Sequence, residues 1–460
     1  MTQKILLSRM EAHPSDSHTL GRYVDTGGYA TLRNALKTMT PEAVTAEVKA
    51  SNIRGRGGAS FPTGVKWGFL PPETRPRYLV INGDESEPGT FKDRMLLERD
   101  PHQLVEGIVL SAFALDVQHA FVYVRGEYPK PARRLQRAID EAYEAGYLGE
   151  NILGSGFDLD VTVHLGAGAY ICGEETALLS SLEGRRGEPR IKPPFPAIEG
   201  LYSKPTIVNN VETISNVPWI IENGGVKYAA IGPETSSGTR VMSLSGHLKK
   251  PGDYEIVAGI SWRELIYEVG GGIRDDRELK AWVPGGASAP WFVPAEHLDT
   301  PVTIDDIAKH GSMIGSGAVI VMDDSTNVVG AAHRLVRFFS HESCGQCTPC
   351  REGTTWLERI LLRILDGYGR PEDIGLLLDV SDNISPGLTW PPAMTTICPL
   401  GPSATAPVVS IMKYFRDEVE AMISPSSAGI VISPPRSGGD VAEGDRGGPS
   451  ASEGGGMLRD

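Results

Sequence analysis

Three cysteines stand at three-residue intervals in Cys344-Gly-Gln-Cys347-Thr-Pro-Cys350, and a fourth, Cys398, follows much later with Pro399 behind it. Thiolates spaced this way can wrap one side of a cubane, and a distant fourth can close it, as in [4Fe–4S] ligation. The chain between must then leave the site and return to the same point. Structural zinc, the alternative, more often uses two separated pairs. The last of the five cysteines, Cys172, stands apart and reads as a small buried apolar residue. An odd, sparse set of this kind is a poor disulfide framework.

The texture around these cysteines, residues 326–423, is mainly helical, as in Gly330 to His341, Trp356 to Asp366 and Ala406 to Met422. Residues 54–237 alternate strands and helices. Tyr78 to Ile81, His119 to Arg125 and Leu159 to Leu165 read as strands. Helices are expected from Asp100, from about Pro131 to Gly146, and from about Glu174 to Gly184. Asp100, Pro101 and Gln103 together resemble a capping box with proline at its first helical position. This alternation predicts a parallel sheet covered by helices, with ligands at the carboxyl ends of its strands.

Residues 238–325 form a smaller α+β texture, read as a spacer that positions its neighbours. Its strands run from Arg240 to Leu248 and Asp253 to Ile260, with a last one from Ala318 to Met322. Ser261-Trp-Arg-Glu264 is a capping box for its helix. Residues 1–53 are a polar lead-in with short helical pieces. Residues 424–460 are rich in Gly, Ser, Pro and charge, and are expected to be disordered.

Four stretches could hold a ligand in the alternating region. Arg54-Gly-Arg-Gly-Gly58 can bring backbone amides close to an anion, with Lys66 adding charge and Phe61, Trp67 or Phe69 offering a ring to stack on. Asn82-Gly-Asp84-Glu85-Ser-Glu87, together with Asp93, crowds four acidic groups after a buried strand, where they repel unless hydrated or engaged. Gly166-Ala-Gly168 with Gly173-Glu174-Glu175 fails the G-x-G-x-x-G spacing, because Ile171 occupies the third glycine's place. Its carboxylates suit either a helix N-terminus or ribose hydroxyls. Asn209, Asn210 and Thr213 supply amides and a hydroxyl after another apolar run.

The net charge of −14 argues against a general nucleic-acid or membrane-surface binder. No apolar run is long enough to span a bilayer, and the first residues lack a signal peptide, so the chain reads as soluble and cytosolic.

Taken in order, these motifs resemble the 51-kDa-type, NADH-binding flavoprotein subunit of respiratory complex I, over about residues 50–423. The resemblance implies a Rossmann-like α/β flavin domain (54–237), a ubiquitin-like β-grasp domain (238–325) and a C-terminal helical bundle (326–423). It implies FMN held by Gly55, Gly57, Lys66, Asn82, Asp84, Gly173, Glu174, Asn209, Asn210 and Thr213. NADH would meet Phe61, Phe69 and Phe195 near its adenine, Glu87 at its nicotinamide end and Glu175 at its adenosine ribose, where a 2′-phosphate would be repelled. Cys344, Cys347, Cys350 and Cys398 match the family's [4Fe–4S] ligands. Ser60 departs from the glycine usual in the family's GAGFPTG run.

The implied partners are a thioredoxin-like [2Fe–2S] subunit and a large iron–sulfur subunit, on the cytoplasmic side of the plasma membrane, with the membrane arm touched only indirectly. No side chain is expected to act as acid or base in hydride transfer. The alternatives are the diaphorase subunit of a soluble NAD-linked hydrogenase or formate dehydrogenase, and a non-catalytic scaffold with structural zinc.

Overall fold

Apolar runs with little room for charge become strands buried on both faces, as parallel sheets require. The computed structural model describes residues 4–389 and 391–423. In it β1 (Tyr78–Gly83), β2 (His119–Val124), β3 (Asp160–Leu165) and β4 (Thr206–Asn210) form one sheet in the order β3-β2-β1-β4. Every pair in it is parallel. Helices Pro101–Leu115 and Pro129–Glu144 cover it, the former buried along nearly its whole length. Strand order reverses at β1: the chain steps outward to β2 and β3, then returns to the other side as β4. The crevice at the carboxyl ends of β1 and β4 is therefore a topological switch point, where open α/β sheets bind ligands.

β5 (Thr239–Gly246), β6 (Gly252–Val257), β7 (Leu279–Val283) and β8 (Ala318–Asp323) form a second sheet, ordered β6-β5-β8-β7. Only its central β5–β8 pair is parallel. It is fixed to the first sheet by buried charge. Glu212, behind β4, accepts from the Val241 amide at 2.9 Å and pairs with Lys92 at 2.8 Å, both side chains fully buried. Arg56 donates to the carbonyls of Ser237 and Thr239 at 2.9 Å each. Lys92 stays protonated although burial opposes its charge, because Asp93 and Glu212 face it.

Helices Val328–Glu342, Thr348–Leu365, Glu372–Ile384 and Leu400–Tyr414 pack on a third core. The single helix expected over Ala406 to Met422 is two: the chain breaks at Phe415 and resumes as Arg416–Ile423. Ser261 and Glu264 form their reciprocal cap, amide to carboxylate at 2.7 Å and amide to hydroxyl at 3.2 Å. The box expected at Asp100 does not close. Asp100 pairs with Arg9 at 2.5 Å, and the Gln103 side chain donates to the Ser215 carbonyl.

The N-terminal segment buries Ile5, Leu6, Leu7, Met10, Tyr23 and Tyr29 in the core of the first sheet. Buried carboxylates tie it down, Glu255 accepting from the amides of Ile5, Leu6 and Leu7 and Glu106 from those of Tyr29 and Leu32. The tail expected to be disordered lies outside the described residues. Among those residues, no helix is long and apolar enough to cross a membrane.

Candidate functional site

The switch-point crevice gathers segments far apart in sequence. β1 delivers Asn82 and, just past its end, Asp84; β4 delivers Asn209 and Asn210; the glycine-rich loop 54–58 lies against the end of β4. Backbone amides direct this assembly. The Arg56 amide donates to Thr213 Oγ1 at 2.9 Å. A Cβ added at Gly57 would sit 3.1 Å from Asn210 Cβ, a contact so tight that glycine favours the loop's close approach. Asn210 caps helix Val211–Ser215 through the Glu212 amide at 2.9 Å and donates to Asp93 at 2.6 Å. Asn82 Nδ2 reaches the Gly173 carbonyl at 2.8 Å, which joins the end of β1 to the stretch behind β3.

The four crowded acids divide into two pairs with different work. Glu85 caps helix Lys92–Arg99, accepting from the Asp93 and Arg94 amides at 2.7 and 2.8 Å, and from Tyr128. Burial, then the neighbouring Asp93, pushes its carboxyl up to about 8. Asp93 is bound to Lys92 and Asn210. These two are structural. Asp84 and Glu87 follow the carboxyl end of β1. Asp84 Oδ2 is shielded and has no partner, and burial raises its carboxyl to about 7 against the pull of Arg125. Glu87 accepts from Tyr170 OH and the Ser288 amide, both at 2.7 Å; burial still raises its pKa.

At the other end, Glu174 caps helix Glu175–Leu182 by accepting from the Thr176 and Ala177 amides. Glu175 lies between two lysines, Lys66 at 3.0 Å and Lys192 at 3.0 Å. Burial works to raise its carboxyl, but Lys66 and then Lys192 outweigh it and hold it ionised. Phe61, Phe69 and Phe195 are exposed, with the first two rings 5.9 Å apart. Trp67 is not available for stacking: it is 2% exposed and donates its indole N–H to Asn209 at 2.9 Å.

Ser60 occupies left-handed backbone at φ 53, and its buried hydroxyl has no partner. Glycine would accept that conformation without strain.

The donor set suits FMN. Lys66 and the amides of a glycine loop fit a phosphate, and the unpaired Asp84 oxygen awaits a hydroxyl or N–H donor.

The cysteine loop and its distant partner converge. Cys350 and Cys398 are buried in one cluster with Ile171, Ala177, Leu178, Phe339 and Leu400, and Cys344 and Cys347 pack against it. That cluster contains the helix headed by Glu174 and Glu175, so the crevice and the cysteines share one apolar wall. The Ile397 amide donates to Cys347 Sγ at 3.3 Å, and Ser343 Oγ lies 3.3 Å from Cys350 Sγ. Burial pushes the Cys398 thiol up to about 12, with Cys350 and Cys344 adding to it, so ligand binding there must displace a proton. Among the described residues, no three His, Cys, Asp or Glu side chains surround a single-ion position. Cys172 is buried in the same cluster, beside the others' wall.

Lys192 and Ser288, which reach Glu175 and Glu87, lie outside the stretches singled out in the sequence, and Tyr170, which reaches Glu87, lies within the glycine-rich stretch but carried no signal of its own.

Comparison with known proteins gives a consistent picture. Residues 48–219 match a family described as the Nuo51 FMN-binding domain, and residues 330–422 match the NADH-ubiquinone oxidoreductase-F iron-sulfur binding region. The chain is similar to the second F subunit of the NADH-quinone oxidoreductase of Rhizobium meliloti, 49% identical over 92% of this chain and 98% of that one. It is similar to the F subunit of the NADH-quinone oxidoreductase of Streptomyces coelicolor, 52% identical over 89% of each. Among solved structures, an NAD+-reducing [NiFe]-hydrogenase in its H2-reduced state superposes with a TM-score of 0.79 at 34% identity, over 88% of this chain and 66% of that chain.

Proposed function

Because the chain belongs to the family of NADH-quinone oxidoreductase F subunits, we propose that it is the NADH-oxidising electron-input component of such a complex. Bound FMN would supply the exchange between a two-electron hydride donor and an iron–sulfur cluster that accepts one electron at a time. The observation that carries this reading is the shared wall, which sets a nucleotide-binding crevice against four cysteines through the helix Glu175–Leu182.

The chain's own residues bind, orient and exclude water. Gly55, Gly57, Lys66, Asn82, Asp84, Gly173, Glu174, Asn209, Asn210 and Thr213 would hold FMN. Phe61, Phe69 and Phe195 cover the adenine of NADH, Glu175 accepts from its ribose hydroxyls, and Glu87 fixes the nicotinamide end. Cys344, Cys347, Cys350 and Cys398 hold the cluster. No residue is assigned a proton transfer in the hydride step. Positioning accounts for it.

The division of labour follows the segments: flavin and NADH on 54–237, a ubiquitin-like β-grasp module on 238–325, and a helical cluster domain on 326–423. The mixed order of the second sheet supports the middle assignment. Other subunits of the complex are the partners; a thioredoxin-like [2Fe–2S] subunit and a large iron–sulfur subunit are the proposed direct ones, on the cytoplasmic face. The diaphorase alternative is less favoured, since identity to the quinone-reductase relatives exceeds that to the hydrogenase chain.

In the test, NADH added anaerobically to purified holoprotein bleaches flavin absorbance and develops a reduced-cluster EPR signal. Cys347→Ala keeps the bleaching and loses the signal. Flavin that stays oxidised in excess NADH overturns the reading.

A further inference from the structure

The loop carrying the first cysteine is gripped from two sides. Arg186, in the turn that follows helix Glu175–Leu182, donates Nη2 to the Cys344 carbonyl at 2.7 Å. Arg351, in the first turn of helix Thr348–Leu365, donates Nη1 to the Gly345 carbonyl at 2.7 Å. Gly345 sits at φ +83 between them; a Cβ there would lie 3.8 Å from both side chains. One guanidinium comes from the flavin side and the other from the cluster side, and they meet on adjacent carbonyls beside a cysteine.

We propose that Arg186 and Arg351 are positioning residues that raise the reduction potential of the cluster held by Cys344, Cys347, Cys350 and Cys398. This rests on the proposed reading of those cysteines as cluster ligands. Reduction adds one electron to the cluster and moves no proton, so it adds one negative charge. A cation beside the site stabilises that charge, and a guanidinium cannot lose its own. Each arginine also pairs with a carboxylate, Glu188 at 3.0 Å and Glu352 at 2.9 Å. The loop therefore meets the positive ends of two ion pairs rather than two free charges. The arginine side chains are 74% and 46% exposed, so water screens them as well. The effect is correspondingly small: about threefold in the reduced-to-oxidised ratio at fixed potential, which is roughly 30 mV for one electron.

The experiment is a potentiometric EPR titration of the holoprotein, with iron content measured alongside. Arg186→Gln with Arg351→Gln lowers the midpoint by that amount at unchanged iron, and Arg186→Lys with Arg351→Lys, which keeps the charges, restores it. Removing the opposing carboxylates with Glu188→Gln and Glu352→Gln raises the midpoint by a similar factor. This second pair reports even where the arginine variants lose the cluster, because it leaves both carbonyl bonds in place. A midpoint that stays put in the glutamate pair, or a lysine pair that falls as far as the glutamine pair, overturns the proposal. Wild-type protein without iron or signal would instead refute the reading of the cysteines, and the two failures are thereby distinct.

Discussion

Replacing Glu175 by Gln should open the chain to NADPH, and the structure sets the size of the effect. Glu175 is ionised between Lys66 and Lys192, each 3.0 Å away, and Lys192 also pairs with Glu174 at 2.9 Å, so the four groups sum to zero and the variant carries one positive charge. The 2′-phosphate of NADPH carries about −1.5 to −2 at neutral pH. Placed where Glu175 meets the ribose, it lies about 4 Å from the carboxylate, where a unit pair is worth about 4 kcal/mol at an effective dielectric of 20. The Glu175 side chain is 25% exposed and both lysines are hydrated in part, which reduces this to about 1–2 kcal/mol. That corresponds to a roughly 5- to 30-fold gain in kcat/KM for NADPH. For NADH the same change removes a charged acceptor from a hydroxyl, and kcat/KM falls about tenfold. The assay is initial-rate ferricyanide reduction with each nucleotide. A ratio of NADPH to NADH efficiency within twofold of wild type would show that the adenosine ribose does not reach Glu175.

Three other perturbations bear on separate parts of the account. Lys92→Met leaves Asp93 buried without its cation and Glu212 with only Arg56, 3.9 Å away, and should cost about 3–5 kcal/mol in urea unfolding; a loss below about 1 kcal/mol would contradict the network's role in joining the sheets. Ser60→Gly relieves a left-handed serine and should stabilise the protein by about 1 kcal/mol with NADH oxidation unchanged; destabilisation would show that the serine is held there by something it contributes. Asp84 titrates about 7 in the flavin-free fold against 3.8 unfolded, so its stabilising contribution is full below pH 3.8 and is lost as pH rises through 7. Flavin-free Asp84→Asn should therefore gain stability over wild type by up to about 3 kcal/mol between pH 5 and 8, measured by thermal or urea unfolding. A pH-independent difference would mean that Asp84 is already solvated.

What the sequence disclosed follows local physics. β1 and β2 were readable because Tyr78-Leu-Val-Ile81 and its counterpart are short apolar runs bounded by turn residues, as burial requires, whereas β3, at the sheet edge, is largely exposed. The capping box at Ser261 was readable because both partners lie within one turn. The similar pattern at Asp100 misled, since Arg9, distant in sequence, competes for the same carboxylate and wins through charge. The break at Phe415 left no glycine or proline to announce it.

At the site, residue types located the crevice, but the partners that set each group's state come from elsewhere in the fold. Local spacing could not separate Glu85 and Asp93, which cap a helix and pair with a lysine, from Asp84 and Glu87, because Tyr128, Tyr170 and Ser288 come from elsewhere in the fold. Nor could it show that Glu175 stands between two lysines, or that Trp67 faces inward to Asn209.

The central claim is that a flavin crevice and a four-cysteine cluster site work side by side in one chain. Flavin and iron measured together on anaerobically purified protein test it most directly. The account predicts four irons for each flavin, with both lost from their own sites independently: iron alone in Cys347→Ala, flavin alone when Lys66 and Asn209 are replaced. Protein that holds zinc in place of iron, or carries no flavin, would contradict it.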